Sequence, residues 1–140
     1  MKSNLTLTYL GHATVLVELD GVRVLTDPFL RTRLGHLRRH GALLDPSLYR
    51  DLDAVVISHA HRDHLDLPSL RRLNRSTRLI VARGVAAMVR RIGFKGVEEL
   101  SVGEATTVGD VTVAATDALH ARGWDPLRSA TQCLGFLITG

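Results

Sequence analysis

Cysteine, aromatic side chains, lysine and long apolar runs are all scarce in this chain. Its 140 residues include a single cysteine, Cys133, which excludes an internal disulfide framework and argues for a reducing compartment. Aromatic residues amount to 4%, which leaves few platforms on which nucleic-acid bases could stack. Sixteen of the eighteen basic residues are arginine, so there is no lysine-rich arm. No apolar run approaches the roughly 18 residues that a transmembrane helix needs. The opening MKSNLTLTYLGHATVLVEL alternates and meets His12 and Glu18 early, which reads as strands and not as a signal peptide. A cytoplasmic location is the resulting expectation.

What is present suits one folded domain over residues 1–140. Apolar residues make up 45% and charged residues 23%, which argues against disorder and allows a sizeable core. The net charge of +4 is unevenly placed: residues 31–91 hold thirteen arginines against five acids, while both flanks are net acidic. Such a stretch admits a basic nucleic-acid-binding module as one hypothesis. An arginine bias inherited from a GC-rich genome produces the same excess.

Leu5, Leu7 and Tyr9 alternate with polar neighbours, and Ala13 to Leu19 forms a second apolar run. Asp20-Gly21 is a hairpin signal before Val22 to Leu25, and Asp27-Pro28 ends that strand. Residues 29–52 show no clean period and read as a long excursion with one helical turn. Asp53 to Ser58 is a continuous apolar run of the buried-strand type. Asp66 can cap a helix in LPSLRRLN, and Leu79 to Ala82 is a further strand. Val85, Met88, Val89 and Ile92 share one helical face that Gly93 terminates. Thr106 to Val108 and Val111 to Ala115 flank Gly109-Asp110 as a hairpin, and Cys133 to Thr139 is a last strand.

The chemistry concentrates after the buried run. His59, His61, Asp63 and His64 bring four metal-ligating side chains into six positions. At a strand end, residues two apart point the same way, so His59 and His61 can grip one ion. As the chain turns, Asp63 and His64 are presented from another direction. Imidazole and carboxylate donors suit zinc first, with manganese or iron as alternatives. A solvated loop with chance histidines is the competing reading, and the crowding of three of the seven histidines into this segment weighs against it.

Ser58-His59-Ala60-His61-Arg62-Asp63-His64-Leu65-Asp66 resembles the H-x-H-x-D-H signature of the metallo-β-lactamase superfamily. Gly11-His12-Ala13-Thr14 and Thr26-Asp27-Pro28 resemble two motifs of the branch that holds ascorbate-6-phosphate lactonase-like and N-acyl-phosphatidylethanolamine phospholipase D-like proteins. The resemblance implies an α/β fold, the N-terminal half of a four-layer αββα sandwich, with one or two divalent metal ions. It implies His59, His61 and His120 around one ion, and Asp63 and His64, which also count as the catalytic pair, around a second. Asp27 and His12 would support that shell, Asp27 by fixing the loop and His12 by touching a substrate or a neighbour. The implied activity is a metal-dependent hydrolase, a metal-activated hydroxide attacking a phosphodiester, lactone or related ester or amide. A small anionic or phosphate-containing substrate is the expected partner, to which Arg31, Arg33, Arg38 and Arg39 could add attraction.

Other residues are weaker candidates. His36 and His40 have no metal spacing and read as solvated. Arg122 and Trp124 could line the pocket, against the simpler reading of a surface arginine and a partly buried tryptophan. The aspartate that bridges the metals in the family, and its last histidine, have no counterpart before Gly140. The expectation is therefore a truncated domain whose site is incomplete and whose isolated activity is weak. Two alternatives follow: a half-domain active only with a partner chain, including a homo-oligomer, and the basic nucleic-acid module, for which no specific target is expected.

Overall fold

A computed structural model describes residues 3–41, 43–119 and 132–140. Strands β1 (Leu5–Gly11) and β2 (Thr14–Leu19) pair antiparallel, with Leu5 opposite Leu19 and Tyr9 opposite Val15. Asp20 and Gly21 both take positive φ, 50° and 85°, which matches the twist of a two-residue hairpin. The chain returns as β3 (Val22–Thr26). The arginine-rich excursion then folds as a small hairpin, β4 (Arg33–Leu34) with β5 (Leu37–Arg38), and a 3-10 turn at Pro46–Tyr49. Beyond it come β6 (Ala54–Ile57), α1 (Leu67–Leu70), β7 (Arg78–Ala82), α2 (Ala86–Arg91) and β8 (Val97–Leu100). The last strands are β9 (Ala105–Val108), β10 (Val111–Asp117) and β11 (Leu134–Thr139).

Six strands form a mixed sheet in the order β1-β2-β3-β6-β7-β8, antiparallel through β3 and parallel beyond it. A second sheet of three antiparallel strands runs β11-β10-β9. One hydrophobic core joins them: Leu25, Val55, Ile57 and Ile80 of the larger sheet cluster with Val108, Val111 and Leu134 of the smaller. Ala54 to Ile57 are buried on both faces, which is why that strand reads as an unbroken apolar run.

Two elements differ from the expectation. The helix after Asp66 lasts one turn, because Arg72 and Leu73 donate three residues back, to Ser69 and Leu70, tightening the helix shut. Strand β8 is an addition to the expected set. Glu98 and Glu99 interrupt its apolar pattern, yet each is spent: Glu98 binds Arg78, and Glu99 accepts the N–H groups of Gly84 and Ala86 at the entrance to α2.

The topology brings three distant segments to one edge. Asp27 N–H donates to Val56 at 2.9 Å, so the ends of β3 and β6 lie side by side. Leu134 N–H donates to Ser58 at 2.8 Å, which sets the start of β11 there too. The loop His59–Asp66 leaves from the C-terminal end of β6, the usual place for a site in a parallel sheet.

Candidate metal centre

Asp27 organises this edge. Its φ is 33°, a left-handed conformation that turns the carboxylate back under the loop, and the residue is buried. Oδ1 accepts the Ser58 N–H at 2.7 Å, while Oδ2 accepts the Ser58 hydroxyl at 2.6 Å and His64 Nδ1–H at 2.8 Å. The backbone is held as well: Thr14 Oγ1 donates to the Asp27 carbonyl at 2.8 Å and accepts the Phe29 N–H at 3.0 Å.

These bonds set tautomers. The Ser58 hydroxyl is committed as a donor to Asp27, so at 2.8 Å from His59 Nδ1 its oxygen acts as the acceptor. In their neutral forms both His59 and His64 therefore carry the proton on Nδ1 and the lone pair on Nε2. A metal-binding imidazole needs this arrangement, its second nitrogen fixed by a carboxylate or hydroxyl behind it.

The imidazoles crowd together. His59 and His61 stand edge to face with ring centroids 4.7 Å apart, and His59 and His64 lie 4.0 Å apart. His12 is 5.1 Å from His64, and its Nε2 sits 2.9 Å from Asp63 Oδ2. Ligand atoms of His12, Asp63 and His64 all lie within 4.8 Å of one another, close enough for one ion. The donor set is thus imidazole and carboxylate with pre-oriented rings, which fits a divalent metal.

Electrostatics couple the two halves of the motif. Burial opposes the charged form of His64, but the hydrogen bond and charge of Asp27, with Asp63 adding, raise its pKa above the ordinary 6.5. Burial likewise pushes Asp63 up, and the charge of His64, a backbone hydrogen bond and His12 together hold it below 3.8. Cys133 lies near the same edge with its thiol pushed up by burial and by the charges of Asp27 and Asp117. It is no activated nucleophile.

His12, Asp27, His59, His61, Asp63 and His64 are all brought to this edge. His120, Arg122 and Trp124 fall outside the described residues. His36 and His40 are both exposed, as expected, and His40 also joins Arg38, Phe29, Leu34 and Leu37 around a cavity of about 380 Å3 that is lined by His12 and Asp63 as well. Ser58 is the participant that sequence reasoning missed. The one available signal is a hydroxyl placed between a buried strand and the first histidine.

A mixed sheet with this histidine–aspartate cluster at the ends of its parallel strands defines the metallo-β-lactamase class of fold. Residues 22–140 match the family model of the beta-lactamase superfamily domain, and the chain belongs to that family. It is 37% identical over 123 residues to the N-acyl-phosphatidylethanolamine-hydrolyzing phospholipase D 1 of Caenorhabditis elegans, covering 75% of this chain and 33% of that protein. A metal-dependent hydrolase of Exiguobacterium is 33% identical over 121 residues, 86% of this chain and 50% of its own. Among solved structures, CmlA, a diiron beta-hydroxylase from Streptomyces venezuelae, superposes with a TM-score of 0.73 at 26% identity, covering 99% of this chain and 28% of CmlA. The chain spans between a third and a half of the two curated relatives.

Proposed function

We propose that this chain carries the histidine-rich metal-binding half of a metal-dependent hydrolase acting on a small anionic ester, such as a phosphodiester or a lactone. One observation carries the reading: Asp27 and Ser58 together lock His59 and His64 into the Nδ1–H tautomer, so that two crowded imidazoles present Nε2. His59 and His61, with His120, would hold a first ion; Asp63 and His64 would hold a second. Zinc suits these donors, and the likeness to a diiron enzyme keeps iron as the second choice. Bound there, a divalent metal lowers the pKa of water and neutralises charge growing on a phosphoryl or acyl oxygen.

The chain's own residues do the rest. Asp27 and Ser58 keep two rings from turning, His12 steadies the Asp63 carboxylate, and Arg38 and His40 at the cavity mouth favour an anion. The metal-dependent hydrolase of Exiguobacterium and the phospholipase of Caenorhabditis elegans support the reaction class. Elemental analysis after dialysis, with phosphodiesterase and lactonase assays alongside, is the test. The chain should retain metal, with at most one tightly bound ion, and His59→Ala and His61→Ala should both lose it. A metal-free wild type, or full occupancy in both variants, would refute the proposal.

A further inference from the structure

Arg39 joins two arms of the site that are distant in sequence. Its guanidinium donates from Nη1 to the carbonyl of Leu10, from Nη2 to the carbonyl of Phe29 at 2.5 Å, and from Nε to the carbonyl of Arg31 at 3.3 Å. Leu10 leads into Gly11 and His12, and His12 bonds Asp63. Phe29 follows Asp27, which holds Ser58 and His64. One planar fork therefore grips both backbone arms from which the carboxylate and imidazole contacts are controlled.

The need for a grip is visible in the backbone. His12 and Asp27 both lie in the left-handed region, at φ 55° and 33°. A non-glycine residue there is strained and persists only where its surroundings over-determine it. The two carbonyls taken by Arg39 sit two residues before one strained position and two after the other. Gly11, at φ 112°, makes the approach sterically open: a Cβ on it would fall 2.5 Å from Arg39 Nη1. Arg39 is itself anchored, since its N–H donates to the Thr32 carbonyl at 2.8 Å and closes the loop that carries β4 and β5.

We propose that Arg39 is a positioning residue for the metal centre: it holds His12 against Asp63 and Asp27 against His64 at the same time. The claim rests on the metal-centre reading for its purpose, but its geometry can be tested without metal. Imidazole nitrogen NMR of the metal-free chain reads the His12 and His64 hydrogen bonds directly. In Arg39→Ala both imidazoles should shift, while amide signals of β7 and β8 stay in place. Arg39→Lys keeps the charge and the stem but cannot grip three carbonyls with one fork, so it should shift the same two imidazoles. Unchanged His12 and His64 signals in either variant would overturn the proposal, and the lysine variant decides alone if the alanine variant does not fold. Titration with cobalt, followed by its visible absorption, gives the second reading. Affinity should fall about ten- to hundred-fold in both variants, the usual effect of losing an outer-shell partner. A wild-type chain that takes up no cobalt refutes the metal centre, whereas the imidazole comparison still decides Arg39.

Discussion

Asp27 places three acceptor bonds on one carboxylate, and the proton balance of the site follows from it. Asp27 helps raise the folded-state pKa of His64, so the stability this gives is full below about 6.5, the unfolded value, and is lost as the pH climbs through the folded one. Asp63 works in the opposite sense: its pKa is lowered, so its contribution is full above about 3.8 and is lost as the pH falls. The metal-free chain should accordingly be most stable in the mildly acidic range between these limits. Metal uptake has the reverse dependence at the upper end, because a ligating imidazole must shed its proton. Asp27→Asn removes the charge that helps raise the pKa of His64. Urea titrations in chelator should show a flatter loss of stability as the pH rises above about 6.5 in that variant than in wild type. Metal binding should persist to lower pH, though more weakly throughout. An unchanged slope would show that Asp27 is not what raises the pKa of His64.

At the scale of elements, α1 is a single turn that could not persist alone, and its cap sustains it. Asp66 is buried, accepts from the Ser69 N–H at 3.1 Å and from its hydroxyl, and receives Arg31 through Nε at 2.9 Å and Nη2 at 2.6 Å. Asp66→Ala should destabilise the chain by roughly 2 kcal/mol: about one for the cap, and a similar amount for a stranded guanidinium after discounting its partial exposure. A shift in the urea midpoint within error of zero would contradict this. The signals that make elements legible are local ones. The opening hairpins show through alternation and Asp20-Gly21, β6 through its unbroken apolar run, and α2 through its face of Val85, Val89 and Ile92. Strand β8 is hidden because its glutamates are satisfied by Arg78 and by the entrance of α2, partners that no local window contains. The site divides the same way. His59, His61, Asp63 and His64 are close in sequence and visible, whereas the Ser58–Asp27 link spans 31 positions and the Arg39 fork spans 29 to Leu10 and 10 to Phe29.

For the whole molecule, the arginine excess and the exposed apolar surface have different fates. Some of the guanidiniums are engaged by the chain itself: Arg31 binds Asp66, Arg39 and Arg72 take backbone carbonyls, and Arg75 donates to the carbonyls of Ile92 and Leu73. These guanidiniums hold loops together, while others of the same stretch, Arg33, Arg38 and Arg62 among them, stay exposed. Strand β1 has no such employment for its apolar side chains. Among the described residues it is an edge strand paired with β2, and Leu5, Leu7 and Tyr9 on its alternating face are 55%, 62% and 71% exposed. An unpaired edge that also presents three large apolar groups is a template for association. The isolated chain should therefore self-associate as its concentration rises. Leu7→Lys places a charge at the centre of the strip, and because the side chain is already exposed the folded state should change by no more than about 0.5 kcal/mol. Light scattering after size exclusion should show larger species for wild type and a shift toward monomer for Leu7→Lys, with matching urea midpoints. A wild type that remains monomeric over the whole concentration range, or a variant that associates equally, would mean that β1 is not the surface responsible.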